Sequence, residues 1–250
     1  MTIFNSTPLL LLALASPLGA QGAHSHRLDT LYVGSTKLAT SYMRNDSSES
    51  VVVVPDSTAP SGQRVVGRLT ELRRVVNGAK PTLFRVNHFK GPTNDVTDSI
   101  MTGATGLVPM WETSHQTTKL MQLKFDGRRV TGDVTPTGKS REPIDQTMAV
   151  APFNSSDVFL VASSLPLAPE YAALLATYEY ESGGLRVDTL TVIGREAVKV
   201  GRASHDAWVV RISRGPSSWM TVWVDRDSRD VLEQEFSSKG RGWTMRMLRR

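Results

Sequence analysis

Five histidines, two closely spaced acid pairs and a liberal supply of serine are the groups in this chain that could do chemistry. His24, His26, His88, His115 and His205 fall in no His-Glu-x-x-His pattern, and each reads as a turn, surface or partly buried histidine. A chain cut after Ala23 would begin His24-Ser25-His26, and an amine with a third-position imidazole can wrap Cu(II) or Ni(II); the plainer reading is a loose terminus without metal. Asp95 with Asp98, and Asp225 with Asp227, have the spacing at which two carboxylates could share acid and base work. Both pairs sit in turn-like sequence, where Asp binds its own backbone, so structural use is expected of them. A Ser/His/Asp triad draws on distant parts of a chain, and no local motif points to one. Gly103-Ala104-Thr105-Gly106 has no Lys-Ser/Thr after it and reads as a turn, and neither Gly-x-Ser-x-Gly nor Gly-x-Gly-x-x-Gly occurs. The expectation is a protein with no catalytic residue, no metal ligand set and no cofactor.

The chain is 250 residues long, enough for one large all-β domain or two small ones. Its first 23 residues read as an export signal. Leu9 to Ala15 is an apolar core too short to span a bilayer, and Ser16 to Ala23 breaks it with small residues at cleavage positions. The absence of cysteine excludes disulfides and a lipidated cysteine, so a periplasmic or secreted protein without a lipid anchor is expected. The net charge is +5, with basic clusters at Arg64, Arg68, Arg73 and Arg74 and at Lys239, Arg241, Arg246, Arg249 and Arg250. A solvated basic face accounts for both clusters; a partner, where there is one, would be an anionic membrane surface and not nucleic acid.

The elements that must position these groups are strands. Residues 24–62 are weakly patterned, with a strand at Leu38 to Arg44 and a β-branched run at Val51 to Val54. From Gln63 a meander begins: Gln63 to Val76, Thr82 to Lys90, Val96 to Met101, Leu107 to Thr113, Thr117 to Phe125 and Arg128 to Val134, with Asn77-Gly78 and Asp126-Gly127 as hairpin turns. Pro136 to Pro143 reads as a loop. Asn154 to Asp157 supplies N-caps for a helix over Asp157 to Leu165, ended by Pro166, and Pro169 to Leu175 suggests another helical turn. Strands resume over Ala176 to Glu181, Leu185 to Ile193, Glu196 to Arg202, Ala207 to Arg214, Trp219 to Asp225, Val231 to Ser237 and Trp243 to Leu248. The pattern predicts one mainly β domain over residues 63–250, a strongly curved antiparallel meander forming an open half-barrel with one or two short helices over its mouth.

Methionines and aromatic groups suggest an apolar cavity in that curve, since thioethers adapt to irregular ligands. Its expected lining is Met110, Trp111, Met121, Phe125, Phe159, Trp208, Trp219 and Trp223, with the tryptophans on the concave side; a plain packed core is the alternative.

Four segments carry a resemblance: Leu123-Lys124-Phe125-Asp126-Gly127-Arg128-Arg129-Val130, the helix through Phe159 to Pro169, Asp206-Ala207-Trp208-Val209-Val210, and Thr221 to Leu232 with its Trp-Val-Asp-x-x-Ser-Arg-x-Val-Leu hairpin. Over residues 65 to 250 the chain resembles an uncharacterised family of exported bacterial proteins, a domain of unknown function related to the lipoprotein-localisation carriers (LolA and LppX-like). The resemblance implies a half-barrel plugged by helices, with lipid or lipoprotein acyl chains as ligands and no catalytic residues. A structural module of the envelope without ligand is the second expectation, and a hydrolase the third.

Overall fold

The computed structural model of the chain describes residues 28–240 and 242–250. The leader-like segment, with His24 and His26, lies outside the described residues. The first half runs through β1 (Asp29–Leu31), β2 (Asp46–Pro55), β3 (Gln63–Val76), β4 (Thr82–Lys90), β5 (Asp95–Gly103), β6 (Val108–Gln116), β7 (Lys119–Asp126), β8 (Arg129–Pro136) and β9 (Glu142–Thr147). A two-residue strand, β10 (Phe153–Asn154), and a 3-10 turn (Ser155–Asp157) lead into α1 (Val158–Ser164). The second half is β11 (Ala172–Glu179), β12 (Gly184–Val200), β13 (Ala203–Ser213), β14 (Ser218–Asp225), β15 (Val231–Ser238) and β16 (Trp243–Arg249).

All the strands join one sheet in the order β1-β11-β12-β13-β14-β15-β16-β2-β3-β4-β5-β6-β7-β8-β9, with β10 also on β11. Each half is a meander of hairpins, the cheapest route to long antiparallel ladders because every turn is local. The two meanders meet in the β16–β2 ladder, where Met247 lies opposite Val52. β1 and β10 run parallel to β11, and the other pairings are antiparallel. The fold is thus mainly β, a single large curved sheet with one short helix, and it is not closed into a barrel: β9 and β11 share no ladder. Side chains bridge that seam. Met121, Leu123, Phe125, Ile144 and Met148 pack on Tyr178 of β11, whose ring meets Phe125 edge to face at 5.8 Å. An ion pair from Lys119 on β7 to Glu181, just past β11, crosses the same gap.

Curvature gives the sheet an inside, and α1 fills one end of it. All seven residues of α1 are buried, and with Leu175, Leu190, Val210, Ile212 and Val222 they form the main core. The chain between β1 and β2 straps this end shut. Gly34 N donates to Gly106 O at 2.9 Å, Ala39 N to Ser164 O at 2.8 Å, and the Tyr42 hydroxyl lies 2.6 Å from Ser164 Oγ. Gly106 is required here: a Cβ would sit 2.5 Å from Gly34 Cα.

Several expected elements change once these contacts exist. Leu38 to Arg44 is not a strand, because its backbone bonds serve the strap. Pro169 to Leu175 gives no helical turn; from Ala172 it is β11, whose backbone finds ladder partners in both β1 and β12. The two strands expected on either side of Gly194 are one strand, β12, and Gly194 follows a bulge in which Ile193 is the extra residue, the register shifting between Val192 and Gly194. β9 begins in the last two residues of the expected loop and runs beyond it to Thr147, since Pro143 is tolerated on a strand at the sheet's edge. The segment 24–62 supplies β1 and β2 to the same sheet, with Val51, Val52 and Val53 buried.

Candidate functional site

β3, β4, β5 and β6 send alternate side chains inward, and many of these are polar. Arg85 on β4 is 1% exposed and holds the segment that precedes α1: its guanidinium donates to Asp157 Oδ1 at 2.7 Å and Ser156 O at 2.6 Å, with Glu71 Oε2 at 3.3 Å. Phe159 stacks on the same guanidinium, 4.6 Å away. Thr102 Oγ1 donates to the other Asp157 oxygen at 2.6 Å. Burial pulls the Arg85 pKa down, but the facing carboxylates of Asp157 and Glu71 outweigh it and hold the charge in place. A second line of ion pairs, Arg73 and Arg249 to Asp46 and Arg44 to Asp230, continues the network across β3, β16 and β2.

Glu112 on β6 sits on the same floor, 4% exposed, accepting from Asn154 Nδ2 at 2.9 Å and Ser156 Oγ at 2.8 Å. Burial lifts its pKa to about 7; the two donated hydrogen bonds pull the other way, and the charges of Asp98 and Asp157 add to the rise. Asp98 on β5, which accepts from Ser114 Oγ at 2.5 Å, is also raised, chiefly by burial. Asn154 caps the turn before α1 as expected, with Ser156 N donating to its side chain at 3.0 Å.

Above this floor the curved sheet encloses an open lumen. One cavity of about 260 Å³ is walled by Leu69, Phe89, Phe159, Met220, Phe236 and Met247 together with Glu71, Asp98, Glu179 and Arg214. Phe89 and Met247 also wall a larger cavity of about 530 Å³, with Val66, Pro92, Met245 and Arg64. Those residues come from the start of β3, the β4–β5 turn and the start of β16, so this is the end opposite α1. A third cavity of about 250 Å³ shares Asp98, Ser155, Ser156 and Glu179 with the first and reaches the seam through Met121, Leu123, Tyr178 and Tyr180. Arg214, against the apolar wall, has its pKa lowered by burial and by neighbouring Arg186.

The expected lining residues scatter. Phe159 and Met121 wall the lumen. Phe125 belongs to the seam cluster, and Trp208 is buried in the main core. Trp219 and Trp223 do not lie on the concave side. Trp208 pairs with Val224 and Val209 with Trp223, so Val222 and Val224 face inward and Trp223 outward. Outside, Trp223 Nε1 donates to Glu196 at 2.8 Å beneath Arg246. Trp111 lies opposite Lys124 and packs on Phe84 at 6.0 Å, away from Glu112 and Ser114, while Met110 is exposed. Sequence reasoning missed Arg85, Glu112, Asp157 and Tyr178, and placed Asp98 in a turn. The legible signal was Glu112 with Ser114 and Gln116, polar side chains at a strand's spacing of two.

Two of the described histidines, His88 and His205, make dyads with a carboxylate. His88 Nε2 lies 2.9 Å from Asp95, and His205 Nδ1 lies 2.8 Å from Asp225. Asp225 also accepts from the backbone of Asp227 and Ser228 at 2.9 and 2.7 Å, the turn-capping use expected of that pair. Among the described residues no serine hydroxyl hydrogen-bonds to either imidazole, and no three His, Cys, Asp or Glu side chains converge as a metal site.

The architecture is similar to a crystal structure of a beta-barrel-like protein of the domain of unknown function DUF1849 from Brucella abortus. The TM-score is 0.54 at 10% identity, over 85% of this chain and 97% of that one. At that identity the likeness concerns the fold alone. No curated protein matches the chain. No helix of the described residues is long and apolar enough to cross a membrane. The stretch that builds the floor, the helical plug and most of the lumen wall, residues 68–236, matches the family described as protein of unknown function (DUF3108), and to that family the chain belongs.

Proposed function

We propose that this is an exported, non-enzymatic protein of the bacterial envelope that holds an apolar or lipid-like ligand in its lumen, in the manner of the lipoprotein-localisation carriers. The observation that carries this reading is the apolar cavity at the end opposite α1, bounded by Val66, Phe89, Met245 and Met247 and sharing Phe89 and Met247 with the deeper lumen. Two of the four are methionines, whose unbranched thioethers adapt to irregular acyl or prenyl chains. Arg64 stands at the same end and offers a cation to a lipid head group. The leader-like N-terminus and the lack of cysteine support an exported and unanchored chain. Native mass spectrometry of protein released gently from an envelope tests the reading. Adduct masses that are lost on organic extraction, return with phospholipid and fall with Met247→Arg are the expected result. Bare polypeptide mass throughout, with no lipid taken up, would refute it.

An interaction module is the second reading, favoured by the outer face of β12, where Val187 is 60% and Ile193 47% exposed. It expects chemical cross-linking of the chain to another envelope component that Val187→Glu abolishes while lipid uptake is unchanged.

A further inference from the structure

The cavity at the seam differs in character from the rest of the lumen. It is walled by Asp98, Glu112, Tyr178 and Tyr180, with Met121 and Leu123 as its apolar side. The acids around it divide into two kinds. Glu181 is paired with Lys119, Glu179 with Arg186 at 2.6 Å and, more distantly, with Arg214. Asp157 and Glu71 are both held by Arg85. Asp98 and Glu112, by contrast, accept only from neutral donors, and among the described residues neither has a lysine or arginine at ion-pair distance. They sit one step apart on neighbouring strands, Asp98 opposite Ser114 and Ile100 opposite Glu112.

A second observation is independent of the acids. Tyr178 is 2% exposed, and its buried hydroxyl has no hydrogen-bond partner. An orphaned buried hydroxyl costs free energy unless something satisfies it. This one lies close enough to Tyr180 and Glu181, two further residues of the cavity wall, to be influenced by both. The ring of Tyr180 already carries a cation in this structure, the Lys119 ammonium 5.3 Å above it.

We infer that the seam cavity is a binding site for a small organic ammonium, its charge held by Asp98 and Glu112, its N–H reaching the Tyr178 hydroxyl and its carbon skeleton lying on Met121 and Leu123. The two unpaired carboxylates supply the charge, the aromatic and thioether groups the desolvated wall, and the orphaned hydroxyl the directional contact. A divalent metal fits less well, since no three ligating side chains converge among the described residues. The site stands whether or not the apolar end of the lumen holds a lipid.

Protonation should compete with the ligand. Glu112 faces Asp98 from β5, Asp157 from the turn before α1, Arg85 from β4 and, across the cavity, Glu179, Glu181 and the paired Lys119. With a pKa raised to about 7 by its burial, it is charged above that pH and neutral below it. Binding of an amine that stays protonated across this range therefore weakens as pH falls.

The test is calorimetric titration of the full, delipidated chain with n-hexylammonium, hexanoate and hexanol. The expected result at about pH 8 is one-to-one uptake of hexylammonium and none of the other two, weakening roughly tenfold or more by about pH 5.5. Glu112→Gln should lower affinity at the higher pH and flatten the pH dependence, Asp98→Asn should lower it without flattening, and Tyr178→Phe should cost several-fold. Should Glu112→Gln fail to fold, Asp98→Asn and the wild-type pH profile decide. No uptake of hexylammonium, equal uptake of all three probes, or affinity indifferent to pH and to Asp98→Asn would overturn the inference. A lipid-free mass spectrum would not, so the two proposals fail separately.

Discussion

Arg85 shows how a buried charge can organise a protein interior. Its terminal nitrogens meet Asp157, Glu71 and a backbone carbonyl and its plane meets the Phe159 ring, which replaces most of the water it loses, while its Nε–H is buried without a partner. Such a group adds little net stability over an apolar substitute, but losing it strips buried Asp157 of its cation and leaves Glu71 with Arg73 alone. Arg85→Ala is expected to cost about 3–5 kcal/mol in urea unfolding; a loss under about 1 kcal/mol would show that water already compensates those acids. Glu112 makes the opposite prediction. Its pKa rises from 4.5 to about 7 on folding, so the folded state holds the proton more tightly. Its contribution is complete below pH 4.5 and is lost as pH rises through about 7, a change bounded at about 3 kcal/mol. The stability difference between wild type and Glu112→Gln, followed by urea melts from acid to mild alkali, should drift in favour of the variant across that window. Parallel curves would contradict the assignment.

α1 is the element on which the interior depends. It has seven residues, too few to be stable alone, and the core around it supplies its stability. Leu160, 1% exposed, belongs to the main core with Leu38 of the strap and Leu175, Val210 and Val222 of the sheet. Leu160→Ala is expected to cost about 2–5 kcal/mol by thermal or urea melting, and a cost under about 1 kcal/mol would mean that the plug is loosely packed. The ends of this helix were legible, with Asn154 ahead of it and Pro166 after it. The strap was not, because Leu38 to Arg44 looks locally like a strand and the strap's backbone partners, Gly106 for Gly34 and Ser164 for Ala39, are remote in sequence. Gly194 misled in the same way: a glycine between two alternating runs reads as a turn, and only the ladder with β13 makes it part of one bulged strand.

On the scale of the molecule, the arrangement of two meanders makes β16 the hinge of the architecture. It is the strand through which the second half reaches β2 and so the first. Deleting residues 243–250 is expected to separate the halves: unfolding would lose its single cooperative transition, and amide exchange in β2 and β15 would rise together. One sharp transition at nearly the wild-type midpoint would show that the plug alone holds the halves together. The seam between β9 and β11 is the weaker join, made of side chains and not of backbone ladder.

Period-two alternation and local turn chemistry depend on neighbours a few residues apart, and these determined the strands, their hairpins, the helix and the mainly β class. Which face of each strand turns inward is decided by register between strands, and a shift of one residue exchanges the faces. Trp208 therefore entered the main core while Trp223, equally buried, joined a smaller apolar cluster with Val209 and Leu232 on the other face, although both sit in similar alternating sequence. Likewise Asp98, Glu112 and Tyr178 share one cavity only because the sheet curls until β5 and β6 approach the end of β11. That meeting rests on contacts between residues far apart in the chain, which no local pattern encodes.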